Sequence, residues 1–151
     1  MAKKKIIIAG CGFAGSNALK RFGKLRKLWS RDFEVLVFDP KENLEFLPML
    51  PDVLSGKVSP GAISYPIKEL CRKYGCVFVR SAVTSIDPVS RKVCSGEGVF
   101  EYEYLLLSPG SQTNFYGNEK MEKACFKMDS VSDALSVRKE ILSRSDRKSV
   151  V

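Results

Sequence analysis

The stretch Gly10-Cys11-Gly12-Phe13-Ala14-Gly15 constrains this chain more than any other, because its glycines stand between an apolar run and an amphipathic one. Lys5 to Ala9 is short and rich in β-branched residues, the profile of a strand buried on both faces in a parallel sheet. From Ala14 to about Trp29 the apolar residues Ala18, Phe22, Leu25 and Trp29 recur at steps of three and four, which makes one face of a helix. A glycine fingerprint after a strand and before a helix gains meaning when an acid follows the next strand. Phe33 to Phe38 predicts that strand, and Asp39-Pro40 closes it, since proline removes a ladder donor. Gly10 permits the tight turn, Gly12 has no Cβ to block an anion at the helix N-terminus, and Gly15 lets the helix lie close on the sheet. Asp39 is placed to accept from ribose hydroxyls and to repel a 2′-phosphate, which disfavours NADP. The bland alternative, a turn that merely joins strand to helix, leaves that ordered context unexplained. The glycines do not separate FAD from NAD, which share the fingerprint.

The remaining chain extends the same architecture. Lys41 to Gly61 holds Pro48, Pro51, Pro60, Gly56 and Gly61, and is expected as loop with one helical turn. A second helix is expected from about Pro66 through Ile67, Leu70 and Tyr74 to a stop at Gly75, followed by a strand over Cys76–Arg80. Val83–Ile86, Lys92–Cys94 and Val99–Tyr102, separated by Asp87-Pro88 and Ser95-Gly96, predict a small antiparallel meander. Tyr104–Ser108, closed by Pro109-Gly110, suits a central parallel strand, and Ser130 with Asp133 opens a last helix through Ala134, Leu135, Ile141 and Leu142. The fold class is therefore α/β: a Rossmann-like FAD/NAD(P)-binding domain with a parallel sheet, helices and a β-meander.

Charge and cysteine narrow the class further. The chain has 151 residues and carries 25 Lys+Arg against 17 Asp+Glu, a formal charge of +8. Nucleic acid, anionic lipid and phosphate-bearing cofactors all suit that sign. No zinc-finger spacing or RNP-like strand accompanies it, so nucleic acid is not expected. Lys20, Arg21, Lys24, Arg26, Lys27 and Arg31 read most simply as a solvated helix face. Cys11, Cys71, Cys76, Cys94 and Cys125 are an odd set, consistent with reduced thiols in a cytoplasmic setting. Cys71 and Cys76 have the CxxxxC spacing of a flavoenzyme redox disulfide, but they lie at a helix end entering a strand rather than in a glycine-rich stretch. They are expected to be ordinary thiols. No metal site is expected. Lys3-Lys4-Lys5 followed by Ile6-Ile7-Ile8-Ala9-Gly10-Cys11 imitates a lipoprotein signal, yet the apolar run ends at Gly10, short of the roughly 7–15 residues such a region needs.

Several segments together resemble the FAD half of type II NADH:quinone oxidoreductases, in the pyridine nucleotide-disulfide oxidoreductase superfamily. They are the glycine turn, Asp39-Pro40, Asn43–Pro51, Tyr102–Ser111 and Asn114–Gly117, and the likeness covers most of the chain. In that family the stretch like Phe46–Pro51 runs beside the flavin, and an "ATG" turn after the fourth strand packs on it. Here that turn reads Ser108-Pro109-Gly110, keeping only the glycine. The resemblance implies FAD as cofactor, with Gly10, Gly12, Phe13, Ala14, Gly15, Asp39, Pro40, Pro48, Val83, Ser108, Pro109 and Gly110 as its candidate contacts. It implies a peripheral enzyme on the cytoplasmic face of the membrane that passes hydride from NADH to FAD and electrons to quinone. No catalytic side chain is assigned, because the cofactor carries the reaction.

Residues 1–145 are expected to form the FAD domain, and 146–151 to begin a second dinucleotide-binding domain that would hold NADH. The chain then reads as a truncation of a longer enzyme, completed by a homo-oligomer or a second chain if at all. Two alternatives stay open: a sulfide:quinone oxidoreductase-like fragment, which keeps Cys125 in view as a sulfur-handling thiol, and a standalone nucleotide-binding module without turnover.

Overall fold

A computed structural model describes residues 3–148. Four strands, β1 (Lys4–Ala9), β2 (Phe33–Phe38), β5 (Val77–Val79) and β9 (Tyr104–Leu107), form one parallel sheet in the order β5-β2-β1-β9. The register pairs Ile6 with Val35 and Tyr104, and Leu36 with Val77. Successive side chains of a strand alternate between faces. Ile6 and Ile8 accordingly join Val35, Val37, Leu19, Ile67 and Leu70 in one core cluster, while Ile7 joins Leu36, Phe38 and Val93 in another. Burial on both faces is the reason these strands read as continuous apolar runs.

The first cluster is covered by helices α1 (Phe13–Lys24) and α4 (Ile67–Tyr74). The second is covered by an antiparallel meander, β6 (Val83–Asp87), β7 (Lys92–Ser95) and β8 (Gly98–Glu101), as the turn signals predict. β9 corrects the expectation of a central strand: among the described residues it ends the sheet beyond β1, with Leu107 58% exposed.

The single helix expected over 14–29 is two. It breaks at Leu25, and a short α2 follows over Arg26–Trp29. Gly23 weakens the last turn of α1, and it is needed there because a Cβ would lie 2.1 Å from the Tyr74 ring. Trp29 then turns back, donating from Nε1 to the Phe22 carbonyl at 2.7 Å. α4 ends as the sequence predicts, with Gly75 left-handed (φ 71°) and Cys76 N–H on the Cys71 carbonyl. Pro66 precedes the helix rather than opening it.

The chain divides into two compact units. Residues up to Leu44 with Tyr65–Gly110 make the first, and Glu45–Ser64 with residues from Ser111 onward make the second. Strands β3 (Asn43–Glu45) and β4 (Ser64–Pro66), paired with each other, lie where the chain leaves the first and returns. In the second unit the expected loop is largely ordered: 3-10 turns at Leu47–Met49 and Pro60–Ile63 flank helix α3 (Leu50–Ser55). Pro48, Pro51 and Pro60 sit at the first or second position of these elements, where a missing N–H costs nothing, so they start turns rather than break them. Leu50, Val53 and Ile63 pack with Val131 and Ala134 of α6 (Val131–Lys148). An unforeseen helix, α5 (Glu119–Ala124), is capped by Asn118. Residues 146–148, expected to lead into a further domain, continue α6; residues 149–151 lie outside the described residues.

Candidate functional site

The glycine turn is built by backbone contacts that leave no room for side chains at two of its three glycines. Gly10 has φ 98° and donates its N–H to the Phe38 carbonyl at 2.8 Å. A Cβ on Gly10 would stand 2.0 Å from the Ser108 carbonyl oxygen, and one on Gly15 would stand 2.0 Å from the Gly10 carbonyl oxygen. Both neighbours are backbone and cannot swing away. Gly15 thus lets the first turn of α1 rest on the end of β1. Gly12 is different, since a Cβ there would meet nothing within 4 Å. Its freedom matters only toward something outside the protein.

That open side faces the N-terminus of α1. Ser16 is the first amide along the helix shown bonded back to Gly12, at 2.9 Å. No side chain caps the helix, and its first turn holds no acidic residue, while Arg21 and Lys24 lie in its last turn. The first-turn amides and the positive end of the helix dipole make this the end of α1 that suits an anion.

Asp39 stands at the end of β2, half-buried. Its Oδ2 accepts from Cys11 N–H at 2.7 Å and its Oδ1 from Lys41 N–H at 2.8 Å. An ionised carboxylate has about four acceptor positions, so both oxygens keep capacity for ribose hydroxyls. Ser108 fastens the third side of the turn: its N–H bonds to the Ala9 carbonyl at 2.8 Å and its hydroxyl to the Gly10 carbonyl at 2.7 Å. The bonds from Cys11 and Lys41, and the use of the Ser108 hydroxyl, have no sequence signal, because any residue supplies an amide and serine is common in turns.

Gly10, Gly12, Phe13, Ala14, Gly15, Asp39 and Ser108 are therefore brought together. Phe13 and Ala14 are exposed at the helix start, and Pro40, Pro109 and Gly110 are exposed around it, with Pro109 N 3.2 Å from a Cβ built on Gly10. Val83 opens the meander and packs on the cluster that holds Ile7 and Phe38. Pro48 belongs to the second unit, exposed on the Leu47–Met49 turn.

All five cysteines are free. Burial raises the Cys11 thiol to about 11, with the Asp39 carboxylate adding to the shift. Burial likewise raises Cys71 to about 12 and Cys76 to about 11. These three are protonated packing groups at neutral pH. Cys125 is exposed and Cys94 half-buried.

Comparison with known proteins bears on the family and the fold. The family model described as pyridine nucleotide-disulphide oxidoreductase matches residues 4–151. The chain is 28% identical to the mitochondrial external alternative NAD(P)H-ubiquinone oxidoreductase B2 of Arabidopsis thaliana, over 98% of this chain and 26% of that protein. It is 28% identical to the type II NADH:quinone oxidoreductase of Staphylococcus saprophyticus, over 92% of this chain and 34% of that one. Among solved structures, Plasmodium falciparum NDH2 in complex with NADH superposes with a TM-score of 0.83 at 24% identity, covering 99% of this chain and 31% of that one. The sulfide:quinone oxidoreductase of Aquifex aeolicus gives 0.77 at 26% identity, covering 94% and 32%. The chain thus spans between 26% and 34% of the length of these relatives.

Proposed function

The chain belongs to the pyridine nucleotide-disulphide oxidoreductase family and has its Rossmann-like fold, and on that premise we propose that it is the FAD-binding part of an NADH:quinone oxidoreductase. The observation that carries this reading is the open helix N-terminus at Gly12, beside a carboxylate already oriented by the turn itself. The start of α1 at Gly12 would hold the pyrophosphate, and Asp39 would accept from the adenosine ribose. Ser108, Pro109 and Gly110, with Pro40 and Val83, would line the cofactor in the first unit.

FAD, when bound, would supply the hydride and electron chemistry. This chain's residues would bind and orient it, and no side chain is assigned a catalytic role. NADH would be held by a second dinucleotide domain that the longer relatives have room for, with quinone and a peripheral membrane site as further partners. Sulfide:quinone oxidoreductase is the second reading, favoured by the Aquifex aeolicus likeness, with the exposed Cys125 as its candidate thiol.

Titration of the purified chain with FAD, NAD and ADP, followed by flavin fluorescence or calorimetry, tests the cofactor assignment. FAD should bind tightest. Equal affinity for FAD and ADP would reduce the site to a nucleotide cradle, and no FAD binding would overturn the reading. A longer protein in which this chain is joined to a second dinucleotide domain should oxidise NADH in preference to sulfide; the opposite preference selects the second reading.

A further inference from the structure

β1 is flanked in the sheet by β2 and β9, and Ala9, its last residue, pairs with Phe38 of the one and Leu107 of the other. The residues that follow those partners, Asp39 and Ser108, therefore stand on opposite sides of Gly10. Each holds one end of the same peptide. The Ser108 hydroxyl donates to the Gly10 carbonyl at 2.7 Å, and the Cys11 N–H donates to Oδ2 of Asp39 at 2.7 Å. The Ala9 carbonyl lies farther from that hydroxyl, at 3.3 Å, and a serine has a single proton to give, so Gly10 is its main acceptor.

This peptide needs holding. Gly10 has φ 98°, and the broad range of conformations open to glycine leaves the orientation of the peptide after it weakly fixed by the backbone itself. A trans peptide is planar, with its C=O and N–H pointing to opposite sides, so turning it over would exchange the two. The Gly10 carbonyl oxygen would then face the Asp39 carboxylate, acceptor against acceptor, and the Ser108 hydroxyl would lose its nearer partner. Ser108 and Asp39 thus stabilise one orientation from opposite ends. Lys41 N–H holds the other carboxylate oxygen, Oδ1, at 2.8 Å. The set of the carboxylate accordingly rests on two amides, one of which belongs to the peptide that Ser108 holds.

We propose that Ser108 is a positioning residue for the nucleotide site: through the Gly10–Cys11 peptide it holds the Asp39 carboxylate in the orientation that selects an adenosine with a free ribose 2′-hydroxyl. Its hydroxyl, engaged by Gly10, does this without touching the ligand. The inference deepens the proposed function and rests on its reading that Asp39 accepts from the ribose. The hold on the peptide itself is a property of the empty protein and can be measured there.

The test uses the full chain with ADP and 2′-deoxy-ADP as probes, and compares the unsubstituted protein with Ser108→Ala, Asp39→Asn and the double variant. A hydrogen bond to a charged group should make the unsubstituted protein prefer ADP by at least about tenfold. Ser108→Ala should reduce that preference by about two- to tenfold, the size of one neutral hydrogen bond. On the Asp39→Asn background, adding Ser108→Ala should leave the remaining preference unchanged, because both act through one carboxylate. In the ligand-free protein, hydrogen exchange followed by NMR should be about two- to tenfold faster at the Cys11 amide in Ser108→Ala, with the Val35 and Val37 amides of β2 unchanged. An unaltered nucleotide preference in Ser108→Ala, an equal drop on both Asp39 backgrounds, or exchange at Cys11 accelerated no more than at Val35 and Val37 overturns the proposal. An unsubstituted protein that binds neither probe, or both equally, removes the ribose reading instead, and exchange at Cys11 then decides by itself whether Ser108 holds the peptide.

Discussion

The backbone amide of Cys11 donates to Oδ2 of Asp39 at 2.7 Å, across 28 residues of sequence. The acid proposed to receive a ribose is therefore also the group that orients the middle of the glycine turn, so both roles would fall on one carboxylate.

Asp39→Asn separates them. The asparagine retains one acceptor oxygen, so either Cys11 N–H or Lys41 N–H is left facing an amide donor. The loss should be about 1–3 kcal/mol in chemical denaturation, with FAD affinity reduced at least about tenfold, or ~1.4 kcal/mol. An affinity loss with unchanged stability would show that the turn does not depend on the carboxylate.

Gly12→Ala and Gly15→Ala should fail in different ways. A Cβ at 12 meets nothing in the protein, so stability should fall by no more than about 1 kcal/mol, the difference between glycine and alanine at an N-cap. FAD binding should nevertheless weaken, because the methyl would enter the space proposed for the pyrophosphate. A Cβ at 15 meets the Gly10 carbonyl at 2.0 Å and should cost about 1–3 kcal/mol before any ligand is added. Denaturation and titration of both variants check the contrast; identical profiles would refute it.

The buried thiols make a pH prediction. Cys11, Cys71 and Cys76 have folded-state pKa values raised to about 11, 12 and 11, above the unfolded value of roughly 8.5. The native state therefore holds more protons above pH ~8.5, and stability falls as pH rises from there through the folded-state values, with the full contribution present below. Replacing Cys71 by alanine should flatten part of that fall in denaturation curves between pH ~8.5 and ~11. At neutral pH, iodoacetamide followed by peptide mass analysis should label Cys125 first, and Cys11, Cys71 and Cys76 only after denaturant.

Ser130→Ala tests the start of α6. The Ser130 hydroxyl accepts from Asp133 N–H at 3.1 Å, while the Asp133 carboxylate reaches back to Asp129 N–H at 3.0 Å. Loss of the cap should cost about 0.5–2 kcal/mol, read by hydrogen exchange as faster opening of the second unit with the parallel sheet unaffected. Uniform acceleration across both units would contradict their separation.

Legibility in the sequence followed the range of the forces involved. β1, β2, the meander and the Gly75 stop were readable because strand burial, turn chemistry and left-handed caps act over a few residues. The break at Leu25 was not, and the need for Gly23 just before it comes from the Tyr74 ring, 2.1 Å from where a Cβ would lie, a neighbour far away in sequence. Between Lys41 and Gly61 a single helical turn was readable where α3 and two 3-10 turns form, because prolines counted as breakers serve there as first-turn residues. The misplacement of β9 has the same origin, since an apolar run records burial but not the neighbour that provides it.

The sequence by itself determined that a strand turns through three glycines into a helix, with an acid one strand later, because φ preferences and side-chain periodicity are local properties. It also carried the family resemblance. Only the tertiary structure decided what each glycine is for: Gly10 and Gly15 exclude a Cβ because Ser108 and Gly10 carbonyls occupy its place, whereas Gly12 keeps space open to the outside. It likewise decided that Asp39 binds the amides of its own turn, and that Trp29 folds inward and leaves Leu28 exposed. These are contacts between residues distant in the chain, and their distances exist only once the strands have paired.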